Sequence, residues 1–178
     1  MQNEIRFTAP WSLAVKIVTL VVLALLLGVS LIGLTAMPAN VPFAARVMMV
    51  VMPLAIVVGT LPFMVNGYVL REDELLIERF GWCNHVPFNT VISAKADLDA
   101  IRGSIRLCGS GGLFGFFGWF RNRKLGVYRA YGTDPARSVV VKLSHRTIVV
   151  TPDDPNRFVA EIDSRRAARS ASTGGSHA

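Results

Sequence analysis

Two long apolar segments without a single charge constrain this chain more than any other feature of its sequence. The first covers Ile17–Met37 and the second covers Val47–Val65, with a short Pro-rich segment at 38–42 between them. About 20 apolar residues, each rising about 1.5 Å in a helix, match the bilayer's hydrocarbon core, which is about 30 Å thick. The sequence therefore predicts a two-helix transmembrane hairpin over residues 17–66.

Basic residues near the ends of the two segments indicate the orientation of this hairpin. Arg6 and Lys16 precede the first segment, Arg71 and Arg79 follow the second, and only Arg46 lies at the edge of the connecting loop. Cytoplasmic segments of membrane proteins carry the excess of Lys and Arg. We therefore expect both termini in the cytoplasm and the Pro-rich loop on the opposite side of the membrane.

Small residues spaced four apart occur in both apolar segments. Such spacing lets helix backbones approach closely, although apolar helices also contain it by chance. The pairs could join the two helices of one hairpin or the hairpins of two copies. The candidate helix-packing residues are Ala24, Gly28, Ala55 and Gly59. Neither segment contains an internal Asp, Glu, Lys, Arg or His, which disfavours an ion or proton pathway.

After Gly67 the long apolar runs give way to short β-type runs separated by turn residues. Seven such runs lie within 68–150, and a Gly- and Phe-rich segment at 109–126 interrupts the series. Closing these strands on each other removes most exposed edges. The predicted fold is thus a membrane α-hairpin followed by a mainly-β domain, which is a seven-stranded antiparallel barrel or sandwich.

A helix closes the predicted β domain at its carboxyl end. Asp154 can cap this helix and Pro155 can take its first position, where the missing N–H costs nothing. We place the β domain at 67–163 and a cytoplasmic tail at 1–16. Residues 164–178 are mostly Arg, Ala, Ser and Gly, which bury too little surface to order themselves, so we expect a disordered tail there.

The order of segments in the second half of the chain resembles the bacterial pleckstrin-homology (PH)-like domain. The resemblance is carried by 127–134, 139–141 and the closing Thr-Pro-Asp-Asp-Pro-x-x-Phe pattern at 151–158, and it covers roughly 68–162. It implies a strongly bent, seven-stranded sandwich capped by a helix, which in this family often follows one or two membrane spans. Together with the predicted hairpin, it implies a multi-pass protein of the bacterial inner membrane; the resemblance implies no particular chemistry.

The most distinctive local feature is the segment 109–124, in which five glycines and five aromatic residues are followed by three cations. One interpretation is an interfacial loop, with aromatics in the headgroup boundary and cations on anionic lipid phosphates. In another, the aromatics fold back and close the mouth of the barrel; a docking site for a membrane protein has the same composition. The candidate lipid or partner interface comprises Phe114, Phe116, Phe117, Trp119, Phe120, Arg121, Arg123 and Lys124.

Positive charge is concentrated in residues 101–150, which carry nine Lys and Arg residues and a single acid, Asp134. Near an anionic leaflet this block would turn the domain toward the membrane. A basic face also suits nucleic acid, but membrane tethering and the lack of a nucleic-acid motif disfavour that partner. Alternatively, these basic residues form a solvated face of the domain that binds no partner.

Chemistry-bearing residues form no recognisable catalytic or metal-binding pattern. Cys83, Cys108 and the three histidines lack metal-ligand spacing, and the glycines lack a phosphate-loop ending. We expect a membrane-anchored, non-enzymatic binding or scaffold module without a cofactor, which binds a protein partner or anionic lipid headgroups. The alternative is a structural assembly protein that forms a homo-oligomer through its transmembrane hairpin.

Overall fold

The two apolar segments form helices in the computed structural model, which describes residues 4–38 and 40–174. Helix α1 covers Leu13–Thr35 and helix α2 covers Phe43–Thr60, followed by one 3-10 turn. Both helices are long and apolar enough to cross a membrane. Helix α1 begins four residues before the predicted boundary because Ser12 caps its amino end.

The two helices contact each other close to their connecting loop. A Cβ atom on Gly33 would lie 2.7 Å from Cβ of Met49, so only glycine allows this approach. A Cβ atom on Gly28 or Gly59 would meet nothing within 4 Å. Gly28 and Gly59 therefore have no close neighbour on the facing helix, and the use of the predicted small residues in helix packing stays a prediction. Ala24, Ala55 and Gly59 are exposed, and Gly28 is half-buried.

The β domain contains ten strands within the described part of the chain, three more than predicted. They are β1 (Ile5–Thr8), β2 (Val65–Leu70), β3 (Glu74–Arg79), β4 (Cys83–Pro87), β5 (Val91–Ala96), β6 (Ile105–Gly112), β7 (Gly115–Asn122), β8 (Gly126–Gly132), β9 (Val139–Leu143) and β10 (Thr147–Val150). One sheet has the order β1-β2-β3-β4 and the other the order β5-β9-β10-β8-β7-β6. The second sheet is mixed rather than antiparallel, because β10 runs parallel to β8.

Strand β1 lies in the segment predicted to be a tail, and it pairs antiparallel with β2. Its formation follows from Phe7, which is buried against the ring of Phe158 at a centroid distance of 5.0 Å. On β2, a Cβ atom at Gly67 would lie 2.8 Å from the carbonyl oxygen of Phe7, so glycine allows the two strands to pair closely. The helical hairpin is thus inserted between two neighbouring strands of one sheet.

The Gly- and Phe-rich segment forms the β6–β7 hairpin instead of an irregular loop. Gly109 and Gly118 face each other across the two strands, and both have positive φ angles, of 113° and 120°. A Cβ atom on either residue would lie 2.1 Å from a backbone oxygen of the facing strand. These glycines therefore permit close strand pairing in a backbone conformation that other residues rarely adopt.

Helix α3 (Pro155–Gly174) closes the core between the two sheets. Phe158 and Ile162 are fully buried there, and Oδ1 of Asp154 accepts a hydrogen bond from the N–H of Arg157, as the predicted cap requires. The helix continues past residue 163, where we expected disorder, because Ala and Arg favour helices and Arg169 pairs with Asp73 across to the sheet. Residues 175–178 lie outside the described part.

Candidate binding site at the junction of the helices and the β domain

The tip of the β6–β7 hairpin packs directly on the first two turns of α1. The hydroxyl of Thr19 accepts a hydrogen bond from the N–H of Phe114 at 3.1 Å and lies 3.4 Å from the carbonyl oxygen of Gly112, to which it donates. A Cβ atom on Gly112 would lie 2.9 Å from a methyl carbon of Val18. These contacts hold the β domain against the base of the helical hairpin.

Beside this contact lies a cavity of about 430 Å³, between the end of α2 and the six-stranded sheet. We call it the junction cavity. Its walls combine aromatic rings and two arginines, and the residues that matter most are Phe63, Arg79, Phe117, Trp119 and Arg129.

Strand alternation explains why two arginines point into the domain. Arg79 follows the buried residues Leu75 and Ile77 at every second position of β3, so it belongs to the inward face. Arg129 shares a face of β8 with the buried Tyr131 in the same way. The guanidinium carbons of Arg79 and Arg129 lie 4.8 Å and 5.2 Å from the centre of the Tyr131 ring.

Aromatic rings support both guanidinium groups. Phe63 stacks on Phe117 at 5.7 Å, and Arg79 lies 5.9 Å from the ring of Phe63. Arg129 lies 5.7 Å from the ring of Trp119, which is its direct neighbour across β7 and β8. Cation–π contacts of this kind fix an arginine without neutralising its charge.

Arg79 is buried, and no carboxylate among the described residues forms an ion pair with it. Its residue exposure is 6%, and its Nε has no hydrogen-bond partner; the Nε of Arg129 has none either. Burial lowers the pKa of Arg79 below its ordinary value, and the positive charge of Arg129 lowers that pKa further, whereas Tyr131 raises it. Buried arginines are normally paired, so this arrangement suits an anion.

The predicted interface residues are divided between the two faces of β7. Phe117 and Trp119 line the junction cavity. Phe116 and Phe120 point to the opposite face, where Phe120 stacks on Tyr128 at 6.0 Å in a second, smaller core. Because successive strand residues alternate in direction, the five aromatic rings cannot share one surface. Phe120 belongs to the second core, and Phe116 packs against that core.

The remaining aromatic residue and the three cations occupy opposite ends of the β6–β7 hairpin. Phe114 sits at the tip, with a positive φ of 58° and its ring 6.2 Å from that of Trp11. Arg121 and Arg123 are exposed, and Lys124 forms an ion pair with Asp97. Strand β7 has eight residues and spans about 25 Å. Arg121 lies only two residues after Trp119, about 7 Å along β7, whereas Arg123 and Lys124 follow the end of the strand and lie farther from the junction cavity.

Arg79 and Arg129 were not among the predicted site residues. In the sequence, Arg79 indicated only the orientation of the hairpin, and Arg129 was one cation of the basic block. The available signal was the alternation Leu75, Ile77, Arg79, which places a charge at the third inward position of a strand. An inward charge in an otherwise apolar strand face indicates a buried polar site.

This fold, with an apolar core between two sheets and a closing helix, defines a small β-sandwich domain attached to two apolar helices. The profile of the family described as Bacterial PH domain matches residues 66–166, so the chain belongs to this family. The match begins in β2 and ends in α3, so it leaves out β1 and both helices. Neither a curated protein nor a solved structure matches the chain.

Proposed function

We propose that this protein is a membrane-anchored, non-catalytic binding module, which holds a PH domain at the bilayer surface and recognises anionic lipid headgroups there. The observation that carries this proposal is the pairing of β1 with β2. These strands precede α1 and follow α2, so both ends of the helical hairpin must leave the bilayer on the same side. The orientation with both termini in the cytoplasm of a bacterial inner membrane meets this requirement.

The surface of the two helices supports membrane insertion. Large apolar side chains such as Leu20, Leu27 and Leu54 are at least 60% exposed. A continuous apolar surface of this kind requires lipid or protein around it. Trp11, which precedes α1, and Phe63, which follows α2, lie where aromatic residues concentrate at membrane interfaces.

The position of the junction cavity favours lipid over a protein partner as the ligand. The cavity opens beside Gly59 and Thr60, the last residues of α2, and therefore at the level where a membrane span meets the headgroups. A tethered domain gains little from extra membrane affinity, which would favour a protein partner. An inward arginine pair at headgroup level instead supports recognition of the lipid itself. Domains of the PH type are generally binding modules rather than enzymes.

Membrane insertion and lipid recognition are tested together with the full-length chain. Alkaline carbonate should leave the protein in the membrane fraction. In nanodiscs that contain anionic lipid, we expect a higher unfolding midpoint of the β domain than in nanodiscs of phosphatidylcholine alone, because a ligand that binds only the folded state stabilises it. Release by carbonate, or equal midpoints in both lipids, would contradict the proposal.

A second candidate function, assembly through the helical hairpins, is supported by the open surface at Gly28. A Cβ atom there meets nothing within 4 Å, so Gly28→Leu should leave a single chain intact while blocking close approach of a second copy. Crosslinking in detergent should then show an oligomer for the natural chain and a monomer for Gly28→Leu. A monomer in both cases would exclude assembly through this face.

A further inference from the structure

We propose that the junction cavity binds the phosphomonoester headgroup of an anionic lipid, and that Arg79 and Arg129 donate hydrogen bonds to its phosphate oxygens. This inference rests on the proposed function, because a lipid reaches the cavity only if the end of α2 lies at the membrane surface. It goes further in assigning the ligand chemistry and the two residues that recognise it.

The first argument is that the two guanidinium groups have unused hydrogen-bonding capacity. Within residues 4–38 and 40–174, neither side chain has a carboxylate or carbonyl partner, and both Nε atoms are buried without an acceptor. Arginine carries five N–H donors in a planar fork that matches phosphate oxygens. A bound phosphate would satisfy these donors, and water in a largely apolar cavity would do so poorly.

The second argument is the charge of the cavity. No acidic side chain belongs to its lining among the described residues, so two positive charges face it without compensation. A phosphomonoester near neutral pH carries close to two negative charges, since its second pKa is about 6. A phosphodiester carries one, so the monoester matches the arginine pair better.

The third argument is that the hydroxyl groups in the lining are already used. Ser110 donates to the carbonyl oxygen of Leu113 at 2.9 Å, and Thr60 donates to that of Ile56 at 2.8 Å. Recognition of a neutral polar headgroup would need such donors to be free. Among the described side chains of the lining, the charged donors left for a ligand belong to Arg79 and Arg129, beside the indole N–H of Trp119, and the two guanidinium groups select an anion.

The fourth argument identifies a lipid rather than free phosphate. The largest side chains in the rest of the wall are apolar: the stacked rings of Phe63 and Phe117 and the ring of Trp119. These rings fit the glycerol and the first methylenes of an acyl chain, which inorganic phosphate lacks. The cavity of about 430 Å³ also exceeds the volume that a phosphate group alone requires.

The test measures lipid retained by the full-length protein. The chain is reconstituted in nanodiscs that contain phosphatidic acid or phosphatidylglycerol at equal surface charge, and co-purifying lipid is counted by mass spectrometry after transfer to detergent. We expect phosphatidic acid to be retained preferentially, and Arg79→Gln and Arg129→Gln each to lower its retention about tenfold, since hydrogen bonds to charged groups contribute at least that much. Arg123→Gln removes the same charge from an exposed position far from the cavity and should retain lipid as the natural chain does.

Each result supports or overturns the inference. Arg79→Lys keeps the charge but loses the planar fork, so its retention should fall between that of the natural chain and that of Arg79→Gln. If Arg79→Gln fails to fold, the more exposed Arg129 carries the test. Equal losses in Arg123→Gln and Arg129→Gln, or equal retention of the two lipids, would overturn the inference.

The same experiment separates failure of the inference from failure of the proposed function. Suppose that anionic nanodiscs still raise the unfolding midpoint while Arg79→Gln and Arg129→Gln retain lipid normally. The proposed function is then supported, and the assignment of the junction cavity as the lipid site is wrong. If millimolar inorganic phosphate or glycerol 3-phosphate displaces phosphatidic acid and protects the protein equally well, the ligand is a soluble phosphate and the lipid assignment is wrong.

Discussion

The region beside the helices and the open end of the β6–β7 hairpin place positive charge in opposite surroundings. In the first region, which we call the near end, Arg129 of β8 and Arg79 of β3 face a cavity of aromatic rings without an acidic residue among the described ones. At the far end, Arg121 and Arg123 are exposed to solvent, and Lys124 pairs with Asp97. The far end has more cations, but the two arginines at the near end are better placed to bind an anion because no acidic side chain among the described lining residues neutralises them.

The difference shows that the surroundings of a charge determine its use more than the number of charges. Exposed ion pairs contribute between about 0 and 1 kcal/mol because water and salt screen them. A desolvated guanidinium such as that of Arg79 interacts far more strongly with any anion that reaches it. Within the basic block, Arg121, Arg123 and Lys124 are therefore solvated, whereas Arg129 lies at an inward strand position beside Arg79. The binding chemistry that we propose belongs to these two inward arginines.

The largest expected effect on stability concerns the close backbone pairing of β6 with β7, the strands that connect the two regions. In Gly118→Ala, the new Cβ atom would lie 2.1 Å from the carbonyl oxygen of Cys108, at a φ of 120°. We expect a loss of more than about 4 kcal/mol in the free energy of unfolding, measured by denaturant titration in detergent. The matched control is Gly111→Ala, whose nearest neighbour is the flexible Arg106 at 3.7 Å. A control effect as large as that of Gly118→Ala would contradict the comparison.

The next effect separates two adjacent aromatic residues on opposite faces of β7. Phe120 is 6% exposed and stacks on Tyr128, so Phe120→Ala should cost about 3–5 kcal/mol of unfolding free energy. Trp119 is 38% exposed beside Arg129, so Trp119→Ala should cost about 1 kcal/mol but reduce lipid retention. Thermal unfolding and lipid counting on both variants check this. Equal stability losses would mean that both rings serve the core.

Much of the fold could be predicted because its signals are local. Charge-free length predicts both helices, short alternating runs predict seven of the strands, and Asp154 with Pro155 predicts the start of α3. Strand β1 was missed because four residues ahead of an apolar helix resemble a tail. The parallel pairing of β10 with β8 was missed because it depends on how distant segments assemble.

The candidate site was less predictable, for two physical reasons. Glycines such as Gly109 and Gly118 normally break strands, and only their mutual pairing with positive φ turns them into strand residues. Once the segment is a strand, alternation divides its aromatic residues between two faces. The cavity also depends on Arg79, 50 residues before Arg129, which only tertiary folding brings to the same ring.

A smaller effect distinguishes two tyrosines, one in the core beside the cavity and one on the far face. The hydroxyl of Tyr68 donates to the carbonyl oxygen of Tyr131 at 2.5 Å and accepts from the N–H of Thr151 at 2.9 Å. Tyr68→Phe removes both of these buried hydrogen bonds and should cost about 1–3 kcal/mol. The hydroxyl of Tyr128 donates only to Ser104, at the edge of the second core, so Tyr128→Phe should cost less.

The pH dependence of the free energy of unfolding provides a second test of Tyr68. Burial raises the pKa of Tyr68 to about 12 from the model-compound value of 10.0. The folded state therefore resists ionisation, and this residue's contribution is complete below pH 10 and is lost as the pH rises from about 10 to about 12, by up to about 3 kcal/mol. Tyr68→Phe should remove that part of the alkaline loss. An unchanged profile between pH 9 and 12 would contradict the assignment.

The smallest effect tests whether the far end of the hairpin is merely a solvated surface. Lys124 is exposed and pairs with Asp97, so Lys124→Gln should cost less than about 1 kcal/mol of unfolding free energy. The cost should disappear in about 1 M salt, where the Debye length is about 3 Å. Lys142→Gln, which changes an exposed lysine of β9, provides the matched control for net charge. A salt-independent loss above about 2 kcal/mol would mean that the charge of Lys124 is structurally important at this end. The two ends would then differ only in that no acidic side chain among the described residues lines the cavity beside Arg79 and Arg129.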